Sequence, residues 1–285
     1  MFVAMIKHSK IFISSVLIVI MIFTIWGFHV PEALAAIAFY ASSTVDVDGC
    51  ITDALTPFVL SWSHTTTGSD RLLVVGIAMT DDSENITGIT YNAISMTNIR
   101  TDSNAGVDQG ETSLWYLVNP SSGANTITAT NDSSFSDGCG DAVSLTGVDQ
   151  DNPLDANNGN TADNADSISS TVTTVADNAW IVDIVSKTSN PGDLTVGANQ
   201  TSRQNLDGVT YDHGMSTVDG KSPAGAEAMD WNDGGQIGTF SWAHSAASFK
   251  PAAVAASASD RNPPFHLIIQ DSELKIEDSQ VIIIN

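Results

Sequence analysis

Phe58-Val59-Leu60-Ser61-Trp62-Ser63-His64, followed by Arg71-Leu72-Leu73-Val74-Val75-Gly76-Ile77-Ala78-Met79, is the stretch that decides the fold. Apolar and hydroxyl residues alternate in the first part, the period of a strand with one covered face. The second part is a nearly continuous apolar run, suited to a strand covered on both faces. The same chemistry recurs along the chain. Runs 86–91 and 94–99 flank Asn92-Ala93, a hairpin candidate. Residues 112–118, 125–130, 142–146, 167–174, 180–185 and 237–249 read as further strands. Thr, Ser, Val, Ile, Asn, Asp and Gly dominate, and no amphipathic helix follows the first segment. About twelve short strands parted by turn residues predict an all-β fold with two facing sheets.

Ahead of the strands, Lys7, His8 and Lys10 precede an apolar run from 11 to 28, then Pro31 and Ala33-Leu34-Ala35. That order of charge, apolar stretch and small-residue cut site predicts a secretory signal helix over residues 1–35. The run is also long enough to span a bilayer, so the competing reading is a retained anchor; the proline and cut site favour cleavage. Either reading places the rest of the chain outside the cytoplasm, secreted or at the cell surface, touching a membrane only through an uncleaved leader.

Of 285 residues, removing 35 leaves 250. The leader takes Lys7, Lys10 and Glu32 with it, so 33 acidic and 10 basic residues become 32 and 8. Such a surface repels nucleic acid and anionic membranes and favours cations. Cys50 and Cys139 are the only cysteines, both in Gly-Asp-rich turns. Outside the cytoplasm they are candidates for a disulfide; no Cys-x-x-Cys pair points to redox or metal chemistry. Residues 149–166 and 205–235 read as loops. A β-sandwich domain over 36–251 is followed by an Ala-, Ser- and Pro-rich linker at 252–264. The tail, 265–285, is a short β repeat. There 269–275 is echoed by 276–282 with an Asp-Ser turn in each copy, and 281–284 is a bare apolar edge suited to self-assembly with another chain.

Five segments carry a resemblance. They are Leu60-Ser61-Trp62-Ser63-His64, Arg71-Leu72-Leu73-Val74-Val75-Gly76, Ile89-Thr90-Tyr91-Asn92, Leu114-Trp115-Tyr116-Leu117-Val118-Asn119-Pro120, and Ser144-Leu145-Thr146-Gly147-Val148-Asp149-Gln150 with Pro153-Leu154-Asp155. With Trp242 and Lys250-Pro251, they resemble a β-sandwich module of large secreted bacterial and archaeal surface proteins. The resemblance implies a jelly-roll-like two-sheet β-sandwich and an extracellular setting, and it implies no catalytic residues. The cysteine pair and the acidity depart from it. Trp62, Trp115, Trp180 and Trp242 are expected between sheets. Arg71 is expected to pair with a carboxylate at the sandwich edge, and Asp149 with Pro153 to shape a loop.

Sites of chemistry are sparse. His64 and His244 share Ser-Trp-x-His settings on the first and last long strands, a weak metal-site pattern beside the plainer reading of strand-end histidines facing water. No Gly-x-Ser-x-Gly elbow occurs, and Glu111, Asp141, Asp183 and Glu227 are only generic candidates for paired carboxylates. Calcium is the favoured ion. Asp46 and Asp48 come first, then Asp81, Asp82 and Glu84, then Asp149 and Asp151, all in acidic turns without the twelve-residue EF-hand pattern. For glycan contact, Trp231 in a Gly-rich polar loop comes first and Tyr211 second. The expected function is a non-catalytic structural or adhesive module at the cell surface, meeting an extracellular glycan or surface protein. The alternatives are a carbohydrate-binding module and, more remotely, a hydrolase with an unrecognised site.

Overall fold

The computed structural model describes residues 35–45, 59–80, 86–105, 110–131, 138–188, 194–207, 211–235, 240–253, 270–277 and 280–284. The expected signal helix lies outside these residues except for Ala35. Among the described residues there is no helix, and none that is long and apolar enough to cross a membrane.

Residues 34–253 form one compact unit. Its strands, in chain order, are β1 (Ala38–Thr44), β2 (Val59–Thr66), β3 (Leu72–Met79), β4 (Ile86–Tyr91), β5 (Ile94–Ser95), β6 (Thr97–Asn104), β7 (Gly110–Val118), β8 (Gly123–Asn131) and β9 (Gly138–Thr146). There follow β10 (Leu154–Ala162), β11 (Ser167–Thr173), β12 (Ala179–Thr188), β13 (Thr195–Val196), β14 (Thr201–Asp207), β15 (Tyr211–Lys221), β16 (Ala226–Asn232) and β17 (Ser241–Phe249). All pairings are antiparallel, and the four sheets are open. In the tail, β18 (Gln270–Glu277) pairs with β19 (Gln280–Ile284) as an antiparallel hairpin, a unit described by itself.

The expected hairpin at Asn92-Ala93 is present: both residues have positive φ, 50° and 62°, and Tyr91 pairs with Ile94. Positive φ at both central residues matches the right-handed twist of the flanking strands.

Instead of one pair of facing sheets, the chain builds two. The first inner sheet has the order β1-β9-β3-β7-β6 and faces an outer sheet β2-β8-β4-β5. The second inner sheet has the order β10-β17-β12-β15-β14 and faces an outer sheet β11-β16-β13. Apart from the two-residue β5, which has no counterpart, the second half repeats the first strand for strand. Val59 to Met79 corresponds to Ser167 to Lys187 without a gap: Leu60, Thr66, Ile168 and Thr174 are all buried, and Asp70 and Asn178 both turn with positive φ (49° and 61°) ahead of the central strand.

Three apolar layers separate the four sheets. Leu60, Trp62, Leu73, Val75, Tyr91 and Ile127 fill the first. Leu72, Val74, Leu114, Val182, Ile184 and Phe249 fill the middle one, between the two inner sheets. Ile168, Ile181, Val185, Met229, Trp231 and Trp242 fill the last. Inner strands β3, β12 and β17 are therefore buried along their whole length, whereas β2 alternates exposed and buried. This is the physical origin of the contrast between the alternating run at Phe58 and the continuous one at Leu72.

Two stretches read as loops are strands. Residues 149–166 contain β10, a polar edge strand paired with β17, and 205–235 contain the end of β14, with β15 and β16. Their alternation is hidden because the inward positions include Asp212, Gly214 and Ser216, which do not score as apolar.

Candidate functional site

Polar groups concentrate in the core of the second half. On β12, Asp183 interrupts the apolar run from Trp180 to Val185 and faces the second outer sheet. Its Oδ1 accepts hydrogen bonds from the Ser216 backbone N–H (2.8 Å) and Ser216 Oγ (2.7 Å). Its Oδ2 accepts from Trp231 Nε1 (2.8 Å) and His244 Nε2 (3.0 Å). Gln200 Nε2 donates to Ser216 Oγ (2.8 Å) and reaches Asp183 Oδ2 at 3.4 Å, while Gln200 Oε1 accepts from the Asp230 N–H (2.7 Å). One carboxylate thus ties together β12, β15, β16, β17 and the turn before β14.

Burial makes this network costly to disturb. Asp183, Trp231 and His244 are all 0% exposed. A carboxyl group in such a place needs donors to replace its lost water, and here it has them. Close by on the same strand, Lys187 Nζ pairs with Asp212 Oδ2 at 2.9 Å and lies 4.3 Å from the Phe240 ring centroid. A third buried pair, His213 Nε2 and Asp141 Oδ2 at 3.4 Å, joins β15 to β9 across the middle layer. Asp183, Trp231 and His244 lie away from solvent, and the network around them fastens strands.

Trp231, expected in a solvent-facing loop, lies instead on β16 with its ring packed into the core against Gly214, where a Cβ would come within 2.5 Å of the indole. It is not available to stack on a sugar in this conformation. Tyr211 opens β15, opposite Thr188. The calcium candidates Asp46, Asp48, Asp81, Asp82 and Glu84 lie outside the described residues. Among the described residues no three His, Cys, Asp or Glu side chains come together as a metal site. Asp149 Oδ1 accepts from the N–H groups of Asp151 (2.9 Å) and Asn152 (3.0 Å), shaping the loop as expected, and these bonds hold its carboxyl below the usual range.

The histidines are not strand-end groups in water. His64, His213 and His244 are all buried. Nor are His64 and His244 neighbours: His64 sits in the first outer sheet with Nδ1 2.7 Å from Ser43 Oγ, and His244 belongs to the second inner sheet. Burial lowers the His64 pKa to about 4. The four generic carboxylates do not converge as a set. Glu111 accepts from Ser103 Oγ (2.5 Å), Asp141 faces His213, Asp183 is the hub, and Glu227 takes Lys221 (2.6 Å) and Asn199 (2.8 Å). Lys221 and Asn199 keep the Glu227 carboxyl below its ordinary range.

Arg71 pairs with no carboxylate in its hydrogen bonds. It binds the Pro120 carbonyl (2.9 Å), the Gly68 carbonyl (2.6 Å) and Asn119 Oδ1 (2.7 Å), stapling the turn before β3 to the turn after β7. Cys139 is buried on β9 and is not a free thiol, whereas its expected partner Cys50 lies outside the described residues. The scaffold tryptophans Trp62, Trp115, Trp180 and Trp242 are all buried, as expected. Sequence reading missed Asp183 as a hub. The available signal was a lone carboxylate inside the run Trp180-Ile181-Val182-Asp183-Ile184-Val185, where a strand covered on both faces must bury it.

Compared with protein-family models, curated proteins and solved structures, the chain matches none.

Proposed function

We propose that the chain is a secreted, non-catalytic structural or adhesive module of the cell surface, built from jelly-roll-like β-sandwiches. The observation that carries this reading is the four-layer stack. Its central strands β3, β12 and β17 are buried end to end, and its polar hubs are spent on fastening strands. What remains exposed is a pair of hydroxyl-rich sheet faces. Ser61, Ser63, Thr65 and Thr126 lie on one, and Ser167, Ser169, Thr171 and Thr173 on the other. Such a body is stiff, hydrophilic outside and suited to contact through faces and edges. The strand order β1-β9-β3-β7 over β2-β8-β4 supports the jelly-roll reading. Calcium at Asp46 and Asp48, and a Cys50–Cys139 bridge, would add rigidity. The carbohydrate-binding alternative loses its first-ranked aromatic, because Trp231 is enclosed.

Labelling intact cells with a membrane-impermeant amine reagent tests the setting: the protein should be modified before lysis. Recovery of unlabelled protein with its leader intact inside the cells would overturn the reading. For contact, a Ser63→Lys/Thr126→Lys variant, altered at a cross-strand pair on one outer face, should bind its target surface at least about tenfold more weakly.

A further inference from the structure

The contact between the two inner sheets has a property that strand order alone does not require. Several corresponding elements meet reciprocally, while the contacts of β7 with β12 and of β6 with β17 are not matched by equally extensive contacts of β15 with β3 and β14 with β9. β1 lies against β14 and β6 against β10; β9 lies against β15 and β7 against β17; β3 crosses its own counterpart β12. Each pair is the image of the other once the halves are exchanged, and the central pair is its own image.

Side chains obey the same rule. In the first half Gly76 is flanked in its sheet by Leu114 and Asp141; in the second, Ile184 is flanked by Met215 and Ser245. These matching positions face each other: a Cβ on Gly76 would lie 2.7 Å from the Ile184 Cβ. Thr112, beside Ala78, corresponds to His213, beside Ser186; Asp141 corresponds to Ser245. Thr112 bonds Ser245 at 2.9 Å, and His213 meets Asp141 at 3.4 Å. Residue i touches j and the counterpart of j touches the counterpart of i, which is the signature of an isologous, two-fold contact.

We propose that the inner face of each five-stranded sheet is one side of a two-fold docking surface, whose partner is the related half carried in the same chain. The axis passes between Gly76 and Ile184. There the fused pair is also made selective. Two first halves would set glycine against glycine and leave a void. Two second halves would set isoleucine against isoleucine where a single added Cβ already collides. Only the mixed pair fills the space, so packing at one point selects the pairing seen.

The test uses the full chain and the midpoint of thermal unfolding. Gly76→Ile should lower it by about 6–12 °C through overpacking, and Ile184→Gly by a similar amount through the cavity left behind. The exchange variant G76I/I184G places the same two groups across the axis with their owners reversed, and should recover more than half of the summed loss. An exchange variant as unstable as the sum of the single changes would overturn the two-fold assignment. If a single variant does not fold, a chain with a protease site between Asp151 and Asn152 is cut after folding. Native mass spectrometry should find the two fragments still paired one to one, and fragments that part in native buffer would overturn the docking surface.

Discussion

At the centre of the first inner sheet, Val75 sits between Trp115 and Ala142; at the matching place in the second, Asp183 sits between Ser216 and Ala246. The difference continues outward. Gly140 and His244 correspond, as do Met79 and Lys187, and Glu111 and Asp212. Each half also closes its core with a tryptophan laid on a glycine, but by different routes: Trp62 from β2 on Gly140, and Trp231 from β16 on Gly214. One strand order is therefore compatible with an almost wholly apolar filling and with a hydrogen-bonded, charged one. Register and backbone pairing set the frame, and the chemistry inside it is free to change provided every buried polar group finds a partner.

The largest expected effect comes from making the second core resemble the first at its hub. Asp183→Val leaves the donors of Ser216, Trp231 and His244 without an acceptor and should cost about 4–5 kcal/mol in urea unfolding. Val75→Ala in the apolar half should cost about 1–3 kcal/mol. Equal losses at the two sites would break the contrast. Next comes the Lys187–Asp212 pair. Lys187→Met, which installs the residue found at Met79, should cost about 3–4 kcal/mol, while Lys187→Met with Asp212→Leu should return to within about 1–2 kcal/mol of the parent. A double variant no better than the single one would mean that the charges cannot be traded for packing.

A smaller effect belongs to the first half. His64 is neutral in the fold, with its pKa lowered to about 4 by burial, whereas the unfolded chain takes a proton below its model value of 6.5. The unfolded state thus binds more protons between those values. Stability is full above about pH 6.5 and falls as the pH drops towards 4, by on the order of 1–3 kcal/mol from this residue. His64→Gln should flatten that part of the stability profile, and an unchanged acid slope would exclude the residue as its source. The smallest change is expected at the loop joining the halves. Asp149→Ala removes the acceptor of two backbone N–H groups and should cost about 1 kcal/mol or less by the same unfolding assay. A loss as large as at Asp183 would show the joint to be a main fastening point.

What could be read in the sequence follows the same division. The first half was legible almost strand by strand, because Leu60, Trp62 and the run from Leu72 to Met79 put enough apolar side chains at buried positions to mark the strands. The second half was legible only at 167–174, 180–185 and 237–249, the last of which covers the whole of β17. In β15 the buried positions include Asp212, His213, Gly214, Ser216 and Thr217. No periodicity of hydrophobicity marks a strand whose inward side chains are polar. The repeat stayed hidden for the same reason, since Val75 and Asp183, or Trp115 and Ser216, occupy equivalent places without resembling each other. Trp231 was misplaced because Asn232-Asp233-Gly234-Gly235, read as a loop around it, begins only as β16 ends.

The backbone enters and leaves the compact unit at one point. The Ala35 N–H binds the Ala252 carbonyl at 2.7 Å, and the Ala252 N–H binds the Gly147 carbonyl at 2.9 Å. Tension applied through flanking segments would load this small junction and leave the stacked sheets unstretched.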